Sequence, residues 1–341
     1  MKAVVKYEEG PAKVELLDMP EPKAGRGEVK IKVEYVGICG TDLHIYHDHY
    51  QHKPPVIMGH EFSGSVVEVG EEVSRLKVGD PVTSEPFARV CGKCLNCRTS
   101  NYNLCLERLS AGSGLNGGMA SYCVMPEERV HLLPPGVGYK EGAIAEPLAC
   151  CVHAVLDRGR IKPGDLVIVN GPGIVGLLSL QLAKLSSATV ILVGTKQDAQ
   201  RLELGSALGA DYTVDDVTKL DENLTDLTDS FGADLVIECA GHERSLIQAM
   251  EAVRKGGTIV QVGLFGKDLM LPFDHIIMKE IKLLGAFGSN WRSWTRALKL
   301  LSSKEVNVEP LVDSVLPLHS WAAAFKKTEN REAIKILLKP D

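Results

Sequence analysis

The sequence predicts an α/β protein in two parts, a β-rich domain and a doubly wound parallel sheet. Three observations carry that prediction. Before Glu146, apolar and polar residues alternate with period two between Gly- and Pro-bearing turns. After it, short apolar runs alternate with helical patterns, as strand–helix–strand units require. One such run leads directly into Gly171-Pro172-Gly173-Ile174-Val175-Gly176, which opens an apolar helix. At 341 residues the chain exceeds one ordinary core, so two domains are expected.

Taken in order, residues 29–36 and 64–69 alternate as half-buried strands, and Lys77 to Val82, with Gly79-Asp80-Pro81, reads as a turn feeding another strand. From Glu146 the texture changes. Residues 148–159 suit a helix and 162–165 a turn; 166–170 is a short buried strand that runs into the glycines. The pattern then predicts helix 174–185, strand 189–193, helix 199–208, strand 235–238 and helix 244–253, with strands at 258–262 and 281–285. A helix over 291–302 and the last apolar stretch are expected to return to the first domain. The resulting division is 1–147 with 286–341, carrying a cysteine lobe at 87–108, against 148–285 for the parallel sheet.

The chain is 45% apolar and 24% charged, an ordinary globular balance, and its 33 glycines imply many tight turns. A net charge of −6 disfavours nucleic acid or an anionic membrane as partner. Lys2, Lys6, Glu8 and Glu9 interrupt the start too early for a leader, and the most apolar stretch, 174–185, contains Gln181 and Lys184, so no membrane span is expected. Nine cysteines, an odd and clustered number, suit thiolate ligands in a reducing cytoplasm better than a disulfide framework.

Cys91, Cys94, Cys97 and Cys105 follow C-x2-C-x2-C-x7-C spacing. Four thiolates on a short loop make a closed tetrahedral zinc site with no open position, hence a structural one. An iron–sulfur cluster uses similar steps; a nucleic-acid-binding zinc ribbon does too, but the acidic chain lacks its basic helix. A catalytic zinc needs about three ligands and a vacancy. Cys39, His60 and a carboxylate from Glu61 or Glu146 fulfil that, with Asp42 either fixing a ligand imidazole or capping a turn. His47, His49 and His52, in the same loop, are expected to be exposed rather than ligating.

The three glycines of the fingerprint permit a tight turn, close backbone approach to a pyrophosphate and close helix packing, and Ile174 and Val175 open the helix whose N-terminus faces the anion. At the end of the next strand, NAD enzymes usually place an acid for the ribose hydroxyls. This chain has Gly194-Thr195-Lys196 there, and Lys196 with Arg201 suits a 2′-phosphate. Alternatively Asp198 or a backbone contact serves NAD, so both NAD and NADP stand. Val262 and Leu264, with Ala286 and Phe287, lie at the ends of late strands and are candidates to line the nicotinamide pocket.

Together, the segment from Val36 to His44 with Cys39-Gly40-Thr41-Asp42, the segment Gly59-His60-Glu61 to Gly64, the lobe cysteines and the Gly171 fingerprint resemble the zinc-containing medium-chain dehydrogenase/reductase superfamily over nearly the whole chain. Within it, Glu146-Pro147-Leu148-Ala149 followed by His153-Ala154 is similar to the sorbitol (polyol) dehydrogenase branch; alcohol dehydrogenases typically have a third cysteine ligand where Glu146 stands. Residues 39–46 are also similar to threonine dehydrogenases, which usually show Asp-Pro-Phe at the later motif. Lys196 departs from the Asp usual in NAD-linked relatives.

The resemblance implies a GroES-like catalytic domain built from both ends of the chain, a central Rossmann domain, an active site in the cleft between them, two zinc ions per chain, and a homo-oligomer, dimer or tetramer. It implies oxidation of a secondary alcohol, a sugar alcohol or other polyol, to a ketone, with zinc activating the substrate oxygen and the nicotinamide taking hydride. Thr41 would accept the departing proton, His44 would pass it to solvent, and Glu61 would serve either as ligand or as holder of zinc-bound water. A binding or scaffold protein that keeps zinc and nucleotide without chemistry is the other class of reading, and a threonine-type or diol dehydrogenase is the rival within the enzymes.

Overall fold

The computed structural model describes residues 1–341, the side chain of Val217 excepted. The chain forms two compact units: Met1–Pro147 with Ser289–Lys304 and Val308–Asp341, and Leu148–Gly288 with Glu305–Asn307.

The first unit begins with strands β1 (Lys2–Lys6), β2 (Val14–Asp18) and β3 (Glu28–Gly37), and a short helix α1 (Gly40–Tyr46). Strands β4 (Val56–Ile57), β5 (Glu61–Val69) and β6 (Pro81–Ser84), helix α2 (Leu95–Arg98), strands β7 (Tyr122–Pro126) and β8 (Val130–Leu132), and helix α3 (Tyr139–Ala143) follow, and the boundary to the second unit falls within α4 (Ala145–Val152), after Pro147. Alternation in β3 buries Val29, Ile31, Val33 and Val36 into the core that also holds Phe62, Val66 and Val82. β5 starts three residues before the alternation in the sequence shows, because Glu61 and Ser63 are polar yet fully buried. That extension matters, since it places Glu61 opposite Gly37 in the antiparallel β3–β5 register. His60 and Cys39, just outside the paired ends, are therefore neighbours. A Cβ at residue 37 would lie 2.3 Å from the Glu61 Oε2, so the crossing needs glycine there.

The second unit is a six-stranded sheet, parallel throughout: β9 (Leu166–Asn170), β10 (Thr189–Val193), β11 (Tyr212–Val214), β12 (Ala233–Glu238), β13 (Val253–Gln261) and β14 (Lys282–Gly285). Its order is β11-β10-β9-β12-β13-β14, so the strand sequence reverses between β9 and β12. Helices α5 (Ile174–Leu185), α6 (Ala199–Ala207), α7 (Val217–Thr228), α8 (Glu243–Ala252) and α9 (Asp274–Met278) connect the strands. A π-helical segment, His153–Gly159, continues α4, so the stretch predicted as one helix winds in two modes. Neither β11 nor α7 was expected: the strand has three residues, and the helix carries Asp, Glu and Thr on most of its turns.

The chain then returns to the first unit with α10 (Trp291–Ser302), β15 (Val312–Pro317), α11 (Trp321–Glu329) and β16 (Lys335–Lys339). β16 pairs antiparallel with β3, setting Leu337 against Gly37. This brings the start of β16 to the place where Cys39, His60 and Glu61 meet. Among the described residues, no helix is long and apolar enough to cross a membrane.

Candidate metal centres and dinucleotide loop

Cys39, at the N-cap of α1, His60 and Glu61 offer one sulfur, one nitrogen and one oxygen within 4.8 Å of one another. Asp42, fully buried, caps the start of α1 and faces the His60 ring without a hydrogen bond to it. Its Oδ2 accepts the Cys39 N–H at 2.8 Å, and its Oδ1 lies 3.7 Å from the His60 Nδ1 with no hydrogen-bond partner of its own. Burial raises the Asp42 pKa, against the pull of His60. For His60, burial would lower the pKa, but the charges of Cys39, Asp42 and Glu146 outweigh it and hold the imidazole well above its ordinary value. So many anions around one buried imidazole fit a divalent cation, which would take the place of that proton. The soft S, N, O donor set suits zinc.

The two glutamates are placed differently. Glu61 belongs to the tight donor group, and its Oε2 meets Lys335 Nζ at 2.6 Å, both side chains being 1% exposed. Lys335 also donates to the Ile38 carbonyl at 2.8 Å. Burial works against the Lys335 charge, yet Glu61 and Cys39 more than compensate and raise its pKa. Glu146, buried in the first turn of α4, is outside the 4.8 Å group, and its charge still reaches His60. Lys335 is the residue that sequence reasoning missed. Its one signal is a lysine heading the apolar run Ile336-Leu337-Leu338.

Thr41 Oγ1 sits 3.7 Å from Cys39 Sγ. His44, one turn along α1 and half-buried, has its pKa lowered by burial and by His49 and His47. The histidine loop corrects the expectation of general exposure. Only His49 is exposed; His47 reaches Glu329 at 2.6 Å, and His52, its side chain 6% exposed, bonds to the Tyr50 carbonyl.

Cys91, Cys94, Cys97 and Cys105 bring their sulfurs within 4.8 Å of one another. The N–H groups of Cys94 and Lys93 pull Cys91 down to about 6, whereas burial and the facing thiols of Cys94 and Cys105 push Cys97 up to about 12. Crowded thiols that resist joint ionisation become four thiolates when a cation sits among them. The lobe is tied to its unit by the Tyr102 hydroxyl, which donates to Glu85 at 2.6 Å; Glu85 also holds buried His131 at 3.0 Å, and His131 stacks on Trp294.

In the second unit the fingerprint follows β9, at the strand end beside the topological reversal where open α/β sheets bind ligands. Gly171 has φ +93°, and a Cβ there would meet Ala240 at 2.9 Å. A Cβ on Gly176 would lie 1.9 Å from the Gly171 carbonyl, but one on Gly173 would meet nothing within 4 Å. Ile174 and Val175 open α5, whose first N–H groups point out of the turn. At the end of β10, Thr195 and Lys196 are exposed and Arg201 is half-buried. Asp198 is buried, and its Oδ2 accepts both the Thr195 N–H, at 2.9 Å, and the Thr195 hydroxyl, at 2.7 Å. That carboxylate closes the turn into α6. Val262 directly follows β13 and Leu264 is exposed; Ala286 and Phe287 directly follow β14, and the Ala286 N–H bonds to the Gln261 carbonyl.

Two family models match: the alcohol dehydrogenase GroES-like domain over residues 25–135, and the zinc-binding dehydrogenase domain over residues 175–303. A sorbitol dehydrogenase of Halalkalibacterium halodurans is 42% identical, covering 100% of this chain and 99% of the relative. A D-arabitol-phosphate dehydrogenase of Enterococcus avium is 40% identical over 99% and 97% of the two chains. An L-threonine 3-dehydrogenase of Pyrococcus horikoshii is 36% identical over 92% and 90%. Among solved structures, a Sinorhizobium meliloti protein assigned as a zinc-binding dehydrogenase and solved with NADP bound superposes with a TM-score of 0.88, at 32% identity and 99% coverage of each chain. The donor sets, the glycine turn at the sheet's reversal and these similarities converge: the chain belongs to the zinc-containing medium-chain dehydrogenase/reductase superfamily, with its GroES-like and Rossmann folds, and is an alcohol dehydrogenase that works with zinc and NAD(P).

Proposed function

We propose that the enzyme reversibly oxidises a secondary alcohol of a polyol or sugar alcohol to the ketone. The observation that carries this reading is the largely enclosed Cys39–His60–Glu61 donor group with Glu146 close enough for its charge to act on His60. The sorbitol and arabitol-phosphate dehydrogenase relatives support the substrate class. When bound, zinc supplies Lewis-acid polarisation of the alcohol oxygen and the nicotinamide accepts hydride.

The chain's own residues do the rest. Cys39 and His60 would hold the metal together with Glu61 or Glu146, and the buried Asp42 carboxylate faces the His60 ring at 3.7 Å and adds its charge to the site. Lys335 fixes one oxygen of Glu61 and leaves the other for the donor group. Thr41, beside Cys39, takes the alcohol proton onto its hydroxyl as it gives up its own. His44 lies three residues on, on the same face of α1, and its lowered pKa keeps it neutral and able to accept that proton at neutral pH. The four lobe cysteines hold a second, structural zinc.

For the cofactor we favour NADP. The Asp198 carboxylate is engaged inside its own turn, whereas Lys196 is exposed at the end of the strand that carries the ribose-binding position, with Arg201 on the helix that follows. A homo-oligomer is supported by the unpaired edge of β14 and by Met270, Phe273, Ile277 and Met278, which are all more than half exposed. A cytoplasmic location suits Cys39 and the four lobe cysteines, which are gathered as sulfur donors for metal.

The test is absorbance at 340 nm with NAD and NADP against polyols, polyol phosphates, simple diols and L-threonine. Polyol-dependent reduction, abolished by a chelator and restored by zinc, is the expected result. Turnover of L-threonine alone would refute the polyol assignment, and a Lys196→Glu variant that leaves the NADP/NAD ratio unchanged would refute the cofactor assignment.

A further inference from the structure

Three adjacent parallel strands end in a row of polar side chains. Asn170 of β9, Glu238 of β12 and Gln261 of β13 stand side by side in register at the point where the strand order reverses. Glu238 is 0% exposed, and among the described residues no lysine or arginine pairs with it. Its Oε1 accepts the Ala240 N–H at 3.0 Å and the Ser245 hydroxyl at 2.8 Å. Its Oε2 accepts the Gly241 N–H at 3.1 Å and the Gln261 amide. Burying a carboxylate costs free energy, and here hydrogen bonds from a loop, the first turn of α8 and a neighbouring strand offset it.

Those bonds converge on the loops that meet at the strand ends. Ala240 is the residue that a Cβ on Gly171 would strike. Gly241 holds φ +61°, and a Cβ on Gly263 would lie 2.4 Å from its nitrogen. The Glu238 carbonyl in turn accepts the N–H groups of Val262, at 2.9 Å, and Gly263, at 3.0 Å. One residue thus fixes the 239–241 turn against the fingerprint on one side and against the segment bearing Val262 and Leu264 on the other.

We propose that Glu238 is a positioning residue for the dinucleotide: its carboxylate clamps the Ala240–Gly241 backbone, and so sets the spacing between the pyrophosphate turn at Gly171 and the nicotinamide-side segment at Val262–Leu264. The inference rests on the reading that the Gly171 loop holds the cofactor. It explains why an acid occupies a buried strand end with no counter-charge.

The experiment compares wild type, Glu238→Gln and the exchanged pair Glu238→Gln/Gln261→Glu, titrated with NADH and NADPH by fluorescence. A carboxylate accepts on both oxygens, but an amide must turn its NH2 towards either Ala240 or Gly241, leaving one backbone N–H facing a donor. Glu238→Gln is expected to weaken cofactor binding about 10- to 100-fold and to raise the cofactor KM, with kcat at saturating cofactor and the zinc content unchanged. The exchanged pair re-forms the bond between strands, with donor and acceptor swapped, but leaves the conflict at Gly241 and loses the bond that the Gln261 amide gives the Gly263 carbonyl at 2.8 Å. Its melting temperature should therefore recover in part while cofactor binding stays weak. Recovery of both together, or an unchanged affinity in Glu238→Gln, would overturn the proposal. Should Glu238→Gln fail to fold, hydrogen exchange in the wild type decides instead: slow Ala240 and Gly241 amides before cofactor is added support the clamp, and exchange at open-loop rates refutes it. Gly173→Ala serves as the control, because normal cofactor binding in that variant would refute the underlying reading rather than the role of Glu238.

Discussion

Gly173 separates what the glycines do for the fold from what they do for the ligand. At φ −80° and ψ −175° its backbone is open to any residue, and an added Cβ would meet no heavy atom within 4 Å. Gly173→Ala should leave stability within about 0.5 kcal/mol of wild type, or raise it slightly by restricting the unfolded chain. The space it fills is the approach to the N-terminus of α5, where a pyrophosphate would accept N–H groups. Hydrogen bonds to a charged group contribute roughly 1.5–3 kcal/mol each, so losing one weakens cofactor binding about 10- to 150-fold. Gly176 is the counter-case, because a Cβ there would sit 1.9 Å from the Gly171 carbonyl. Gly176→Ala must shift the turn, and should destabilise the second unit by about 1–3 kcal/mol. Thermal melting and fluorescence titration with NADH and NADPH, run on both variants, read the two effects separately. A Gly173→Ala protein with wild-type melting and wild-type cofactor affinity would refute the placement of the dinucleotide at this loop.

Three further outcomes follow from the first unit. In zinc-depleted protein, Lys335→Met leaves the buried Glu61 without its cation and should cost about 3–5 kcal/mol in denaturant unfolding; a markedly smaller loss with zinc present would show Glu61 turning to the metal, and no loss in either state would refute the pairing. Without metal, the charges of Cys39, Asp42 and Glu146 hold the His60 pKa well above its ordinary value against burial, so zinc binding must compete with a proton there and weaken as pH falls; an indicator dye should register proton release as the catalytic zinc loads, with less released in His60→Ala, and no release would refute the competition. Cys97→Ser should halve the zinc content and lower the melting temperature, because the remaining thiols no longer close a tetrahedral set; unchanged metal content would count against a structural lobe.

How much of this was legible in the sequence depended on how far apart the partners lie. The lobe cysteines span 91–105 and the fingerprint 171–176, and within such windows spacing alone brackets the geometry. Helix 174–185 and strand 189–193 were legible to the residue, since each is a strongly apolar run, the helix set between Gly173 and Ser186 and the strand stopped by Gly194. Among the strands that escaped, β7 is held by β3 and β11 is a three-residue edge against β10, so their burial comes from elsewhere in the chain. Local propensity is a weak signal there, because tertiary pairing decides the conformation.

The same argument applies to the chemistry. Cys39 and His60 were legible as a pair because each lies in a short recognisable segment, but what brings them together is the Gly37–Glu61 register, which shows only as a glycine and a buried acid. Lys335 is 274 residues from Glu61, and nothing near it in the sequence marks it as a partner. Its place follows from β16 closing on β3, an event of the whole chain. Glu238 was read only as the last residue of a strand; its function lies in four donors drawn from three other segments. In both cases a charged side chain is fully buried, which requires a partner, and the sequence alone does not say which. An acid or lysine at the end of an apolar strand is therefore the signal to carry forward: it marks a partner to be found across the sheet, and here both such partners lie at the sites where metal and dinucleotide are proposed to bind.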